Sequence, residues 1–286
     1  MTIVTRRAMG RDPSAGAVAI ARHAVASLHA ELVLAPKPGL VCPGDRGSHD
    51  DMDASTMLRS LFALRHGFVA MAAAAARGTG FATLQSIGIE AERAMRRATG
   101  GVNTHRGAIF NLGLLVAATA SCEADGLPVT PTSLRETLRA RWGRSLRVRP
   151  VVEGSHGLAM AARYDAGGAR REAADGFPSV FGIVLPALQA ARAAGHDERA
   201  ARLHALMTGI ATVEDTNLLY RGGRDGLLFA QGLARDFLDG GGVARPDRDA
   251  TLRITGRAFV ARRLSPGGSA DLLAAALFVD RVTRVA

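Results

Sequence analysis

HRGAIFNLGLLVAATA, running from His105 to Ala120, is apolar on nearly every side of a helical wheel. A helix that is apolar all round belongs inside a protein core or a membrane. Its nearly uncharged part, Ala108 to Ala120, is only 13 residues long and contains Asn111 and Thr119. A bilayer span needs ~20 residues, so the sequence predicts a central, buried helix of a soluble fold. Stripes with a 3.6-residue period lie on both sides of it. Val18, Ala21, Val25, Leu28 and Leu32 form one stripe, which ends before Pro36 and Pro38. Met57, Leu61, Leu64, Phe68 and Ala72 form a second. Leu84 to Ala98 reads as a third helix, stopped by Gly100 and Gly101. Leu203, Leu206, Met207 and Ile210 mark another, and Leu272, Leu273, Ala276 and Leu277 mark one near the end. No run keeps the alternation of a half-buried strand beyond about four residues. The predicted fold is all-α: one compact multi-helix domain spanning 1–286, its active site built from loops and helix ends. Residues 1–13 are expected to be disordered, and the Arg-rich stretch 130–150 is the best candidate for a protruding segment.

Composition narrows the function. Of 286 residues, 48% are hydrophobic and 22% charged, which excludes general disorder. Cys42 and Cys122 are too few for a disulfide scaffold and fit a reducing compartment. An early Arg pair, Arg6 and Arg7, is followed by Arg11, Asp12 and Pro13 where the apolar core of a signal peptide should begin. The expected location is the cytoplasm, with no membrane partner. The net charge of +10 comes from arginines spread over the whole chain, with no basic block carrying interleaved aromatics. No nucleic-acid partner is therefore expected. Lys37 is the only lysine and Asn occurs only at 103, 111 and 217. A lone ammonium in an arginine-biased chain points to a place that needs a compact point charge.

The chemistry sits at the breaks between helices. Ala35 to Asp53 packs Lys37, Asp45, Arg46, His49, Asp50, Asp51 and Asp53 into a stretch too broken by Pro and Gly to be helical. It reads as a catalytic loop whose carboxylates could hold a divalent cation, or as a polar loop in which Asp51 or Asp53 caps the next helix. Thr99 to Gly113 places Asn103, Thr104, His105 and Arg106 at the start of the buried helix, where free N–H groups suit phosphate. A GSHG segment at 154–157 precedes Glu172 to Ser179, a candidate turn or nucleotide contact. Glu214 to Gly223 offers Asp215 and Asn217 as oxygen ligands two residues apart, and Arg221 beside Gly222 and Gly223 for an anion. The bland alternative there is a helix C-cap at Gly222. Arg262 to Phe278 starts its helix at Ser269 after Pro-Gly-Gly, a further cap or phosphate site. No Walker-type loop, GxGxxG, GxSxG or HExxH occurs.

These segments, in this order, resemble the triphosphoribosyl-dephospho-CoA synthase family. The residues that carry the resemblance are PKPGLV at Pro36 to Val41, GSHDDM at Gly47 to Met52 and GVNTHRG at Gly101 to Gly107. DTNLLYRGG at Asp215 to Gly223 and SPGGSADLLA at Ser265 to Ala274 complete the set. The resemblance covers roughly Ala21 to Val279. It implies transfer of the triphosphoribosyl group of ATP to the 2′-hydroxyl of 3′-dephospho-CoA with release of adenine. The product would be the prosthetic-group precursor of an acyl carrier subunit. Cys42, Asp45 and the GSH form at Gly47 to His49 look more like the malonate decarboxylase branch than the citrate lyase branch.

On this reading the substrates are ATP and 3′-dephospho-CoA, Mg²⁺ accompanies ATP, and a homo-oligomer is left open. Asp51 and Asp215 are the expected base and, with Asn217, the expected metal ligands. His49 and His105 would position substrate or help as acids. Lys37, Arg106, Arg221, Asn103, Gly222, Gly223 and Ser269 would meet the phosphates. Two other classes compete. A metal-dependent N-glycoside hydrolase would release adenine without the acceptor, and a non-enzymatic Arg-rich module would depend on Arg139 and Arg144 rather than on Asp51 and Asp215.

Overall fold

The computed structural model describes residues 13–148 and 168–284, and among them it is all-α, with only an isolated bridge between Cys42 and Asp45 outside the helices. The helices are α1 (Pro13–Leu32), α2 (Ala54–Ala63), α3 (Arg65–Ala76), α4 (Phe81–Ala98), α5 (Arg106–Ala124) and α6 (Pro131–Leu138). They continue with α7 (Arg144–Arg147), α8 (Gly168–Ala174), α9 (Leu185–Ala193), α10 (Glu198–Thr212), α11 (Thr216–Asp239), α12 (Arg248–Ala261) and α13 (Gly267–Arg284).

The buried helix foreseen from the sequence is α5, and it is longer than the apolar run suggested. At 19 residues it is long and apolar enough to span a membrane by length and composition alone. In the fold its surface is spent on protein: it packs against α1, α3, α4, α6 and α13. Ala108, Ala117 and Ala118 are buried, and so are Ala72 and Ala75 of α3 and Ala274 to Ala276 of α13, two of the helices that pack on it. Small side chains bring helix axes close, so dispersion contacts accumulate even where each residue is small.

Three local expectations need correction. The stripe from Met57 to Ala72 belongs to two helices, separated at Leu64. Leu64 keeps φ −77° and ψ −16°, near-helical values, so the apolar period carries through the break. In α1 the inward face is Ala17, Ile20, Ala21, Ala24 and Leu28, and Val18 is exposed. The Arg-rich stretch is packed rather than protruding as far as it is described. Thr130 caps α6 by accepting from Ser133 N, Pro131 follows, and the chain stays helical to Arg147. Leu134, Leu138, Trp142 and Leu146 are buried while the arginines point outward. Periodicity there was masked by the density of arginines. The expectations for 1–13, for the GSHG at 154–157 and for residues 149–150 lie outside the described residues, apart from Pro13, which opens α1.

Candidate active site

A cavity of about 870 Å³ opens between α1, α4, α5, α8, α11 and α13. That is the upper end of the ~300–1,000 Å³ typical of small-molecule sites. Four of the segments singled out in the sequence supply its wall: His49 and Asp51; Asn103, His105 and Arg106; Asp215, Asn217 and Arg221; and the start of α13. Glu172 and Ser179, after the GSHG segment, line it too.

Asp215 is the knot of the site. It caps α11, and its Oδ1 accepts from Asn217 N at 2.9 Å, Leu218 N at 3.4 Å and Gly268 N at 3.3 Å. Its Oδ2 accepts from Ser269 N at 2.7 Å and Ser269 Oγ at 3.0 Å. One carboxylate thus satisfies the orphan N–H groups of two helix starts and binds the DTN and SPGGS segments together. Burial pushes its carboxyl up against the pull of these bonds. Both oxygens are committed, so Asp215 suits the clamp better than the expected base or metal ligand. Ser269 is 1% exposed and spent on Asp215, which makes it a clamp partner rather than a phosphate contact.

His49 and Arg221 form a second tie. Arg221 donates through Nη1 to Ser48 O at 3.0 Å and to Arg263 O at 3.1 Å, and through Nη2 to His49 Nδ1 at 3.2 Å. Because Nδ1 accepts, Nε2 carries the proton toward Ser265 Oγ at 3.0 Å. Burial and then the Arg221 charge lower the His49 pKa, so the ring is held neutral. The GSH loop reaches this place because Gly47, at φ 56°, lies on the backbone of Gly39 and Leu40, where a Cβ would come within 2.6 Å of Gly39. Asp51 is 62% exposed at the rim, and Asp53 rather than Asp51 caps α2 by accepting from Thr56 N at 2.8 Å.

His105 is buried at the start of α5. Thr104 Oγ1 donates to Ser60 Oγ at 2.6 Å, leaving the Ser60 hydroxyl to donate to His105 Nδ1 at 2.6 Å. Nε2 then carries the proton and finds no partner among the described residues. Burial, with Lys37 second, lowers the pKa to about 4. The imidazole is a neutral N–H donor near neutrality, which suits substrate positioning, one of the two roles expected of it. Arg106 stands on the wall, 3.3 Å from Glu92.

Lys37 does not reach the cavity. Its Nζ is buried, donates to Glu31 Oε1 at 2.5 Å and to Glu31 O at 2.7 Å, and so holds Glu31, which does line the cavity. The compact ammonium is needed there for a buried carboxylate rather than for a phosphate. Gly222 and Gly223 also lie off the wall. They break α11 internally at Gly223 rather than ending it, and Gly222 gives room to Leu264.

Sequence reasoning missed Asp271. It is the fifth residue of α13, lines the cavity, and lies so close to Gly107 that a methyl group there would overlap its carboxylate. No described residue donates a hydrogen bond to it. Burial, then the charges of Glu31 and Asp215, push its carboxyl well above the usual range. Inside SPGGSADLLA neither its type nor its spacing sets it apart, and only the packing of α13 on α5 does. Among the described residues no three His, Cys, Asp or Glu side chains gather as metal ligands. Asp215 spends both oxygens on helix-start donors, and Asp51 stands exposed at the rim.

The comparisons with known proteins agree with this geometry. Residues 17–286 match the family described as ATP:dephospho-CoA triphosphoribosyl transferase. The chain is 44% identical over 264 residues to a protein of Azotobacter vinelandii, covering 91% of this chain and 89% of the relative. It is 43% identical over 270 residues to one of Pseudomonas putida, covering 92% and 94%. It is 37% identical over 257 residues to one of Acinetobacter calcoaceticus, covering 90% and 88%. All three carry the name "Probable 2-(5''-triphosphoribosyl)-3'-dephosphocoenzyme-A synthase". No solved structure matches the chain. A match over nearly the whole chain, with the family's segments meeting at one cavity, places this protein in the ATP:dephospho-CoA triphosphoribosyl transferase family.

Proposed function

We propose that this cavity joins the triphosphoribosyl part of ATP to the 2′-hydroxyl of 3′-dephospho-CoA and releases adenine. The observation that carries the reading is that one cavity is lined by three kinds of surface. Arg171 and Arg106 have 69% and 36% exposed side chains. The carboxylates of Asp271 and Glu31 share the lining with the buried apolar residues Leu28, Met71 and Leu114. ATP has the same three chemistries: polyanion, ribose, flat base. Arginines suit the phosphates, carboxylates suit a sugar carbon that becomes oxocarbenium-like, and apolar walls suit a purine.

In the transfer, the C1′–N9 bond of ATP breaks and its electron pair goes to adenine. The oxygen of the acceptor hydroxyl forms the new bond to C1′. Its proton goes to the Asp271 carboxylate and is returned to the departing adenine, so charge and atoms balance. Asp271 takes the role first assigned to Asp51 or Asp215, because it is inside the cavity and no described residue occupies its oxygens. General base help of this kind contributes ~10²–10⁴-fold. Magnesium enters as the complex of the triphosphate, as part of the substrate. Mass spectrometry of the product from ATP plus dephospho-CoA tests the reading. Release of adenine from ATP alone, with no joined product, would replace it with hydrolysis.

The product serves a malonate decarboxylase carrier on the evidence of Cys42, Asp45 and GSH. Cys42 and Asp45 exchange backbone bonds of 2.9 and 3.0 Å, and Asp45 Oδ1 accepts from Gly47 N. They shape the turn behind His49 and do not line the cavity, which fits a lineage mark that leaves the reaction unchanged. Deletion in the host tests it: growth on malonate lost supports the branch, and citrate fermentation lost instead reverses it.

A further inference from the structure

All three asparagines of the chain line this one cavity. Asn103 and Asn217 are exposed beside helix starts, a setting where asparagine is common. Asn111 has no such reason. It lies inside α5, in the most apolar helix of the site, and is 5% exposed. Asparagine is a poor helix former, and its buried Oδ1 has no partner among the described residues. No described residue accepts from its Nδ2 either. A buried, unsatisfied amide is costly and calls for a partner.

Its position says which partner. Asn111 is four residues beyond Gly107, hence on the same face of α5 and about 6 Å further along the axis. Gly107 is where Asp271 rests. The same cavity is lined by the buried apolar residues Leu28, Met71 and Leu114, and Asn111 is the buried asparagine of that lining. We infer that Asn111 reads the amino edge of the departing base, accepting from the 6-amino group through Oδ1 and donating through Nδ2 to the adjacent ring nitrogen. This rests on the transfer reaction proposed above. A side-chain amide pairs with N6 and N7 of adenine through two bonds. A 6-oxopurine would set a carbonyl against Oδ1. A donor at N7 also spreads the negative charge that the base acquires as C1′–N9 breaks, so the contact strengthens as the reaction proceeds.

The test compares ATP with inosine triphosphate, its 6-oxo analogue, in wild type and in Asn111→Leu. The ratio of the two kcat/KM values does not depend on how much of a preparation is folded. Wild type should prefer ATP by roughly 10- to 100-fold or more, as expected when a site hydrogen-bonds the group that differs. Asn111→Leu should bring the ratio close to one, mainly through loss on ATP. A wild-type enzyme that makes product yet keeps its preference in Asn111→Leu overturns the inference and leaves the reaction standing. A wild type that makes no product from ATP overturns the reaction itself. If Asn111→Leu is inactive with both nucleotides, equilibrium binding of free adenine and hypoxanthine decides. Adenine bound as tightly as by wild type refutes the contact, and adenine weakened to the level of hypoxanthine supports it.

Discussion

Asp215 Oδ2 accepts from both the backbone N and the Oγ of Ser269, at 2.7 and 3.0 Å, across 54 positions of sequence. The start of α11 and the start of α13 are therefore one structural unit. Asp215→Asn keeps the volume but turns an acceptor into a donor that faces other donors. Losing a charged hydrogen-bond partner typically costs ~1.5–3 kcal/mol. The variant should unfold at lower temperature and lose activity together. Thermal circular dichroism checks this; normal stability with lost turnover would return Asp215 to a catalytic role.

Asp271 should behave in the opposite way. Asp271→Asn removes the proposed base and should lower kcat by ~10²–10⁴-fold. Its carboxyl titrates well above the usual range because burial, Glu31 and Asp215 oppose its charge. A carboxyl whose folded pKa is raised stabilises the fold fully below its unfolded pKa, and that contribution is lost as pH rises through the folded pKa. Wild type should therefore lose stability with rising pH over that window, and Asp271→Asn should lose less, the remainder coming from Asp215 and Glu172, whose carboxyls burial also raises. Chemical denaturation at several pH values reads the difference.

Gly107→Ala separates propensity from function. Alanine is favoured over glycine in a helix by ~1 kcal/mol, yet the added methyl would overlap the Asp271 carboxylate. The variant should fold with near-normal stability and lose most of its kcat. Unchanged kcat would show that Asp271 can move without consequence and is not the base.

Lys37→Ala should act on stability. It strips the partner from Glu31, a 5% exposed carboxylate. Breaking a buried ion pair from one side costs about 3–5 kcal/mol. Replacing both groups, as Glu31→Gln with Lys37→Met, should recover much of that loss. A Lys37→Ala enzyme of normal melting temperature with a raised KM for ATP would restore the phosphate role instead.

The fold class was legible in the sequence because helical periodicity is local. α5 was readable from the run His105 to Ala120, and the cap at Asp53 was one of two readings of the loop before α2. The segments at His49, Asn103 to Arg106 and Asp215 to Arg221 were legible as polar groups at helix breaks, and they do meet at one cavity. The break at Leu64 was not legible, because near-helical dihedrals preserve the stripe across it.

The sequence alone determined which residues could carry chemistry, since residue type and spacing along a helix are fixed by the chain. Only the tertiary structure decided which of them face the cavity. Lys37 turns inward to Glu31, Asp215 is consumed by two helix starts, and Asp271 comes to rest on Gly107 from 164 positions away. Those outcomes depend on burial and on hydrogen bonds between distant segments. A carboxylate becomes a clamp or a base according to how many donors reach it, and that number exists only once α5, α11 and α13 are packed.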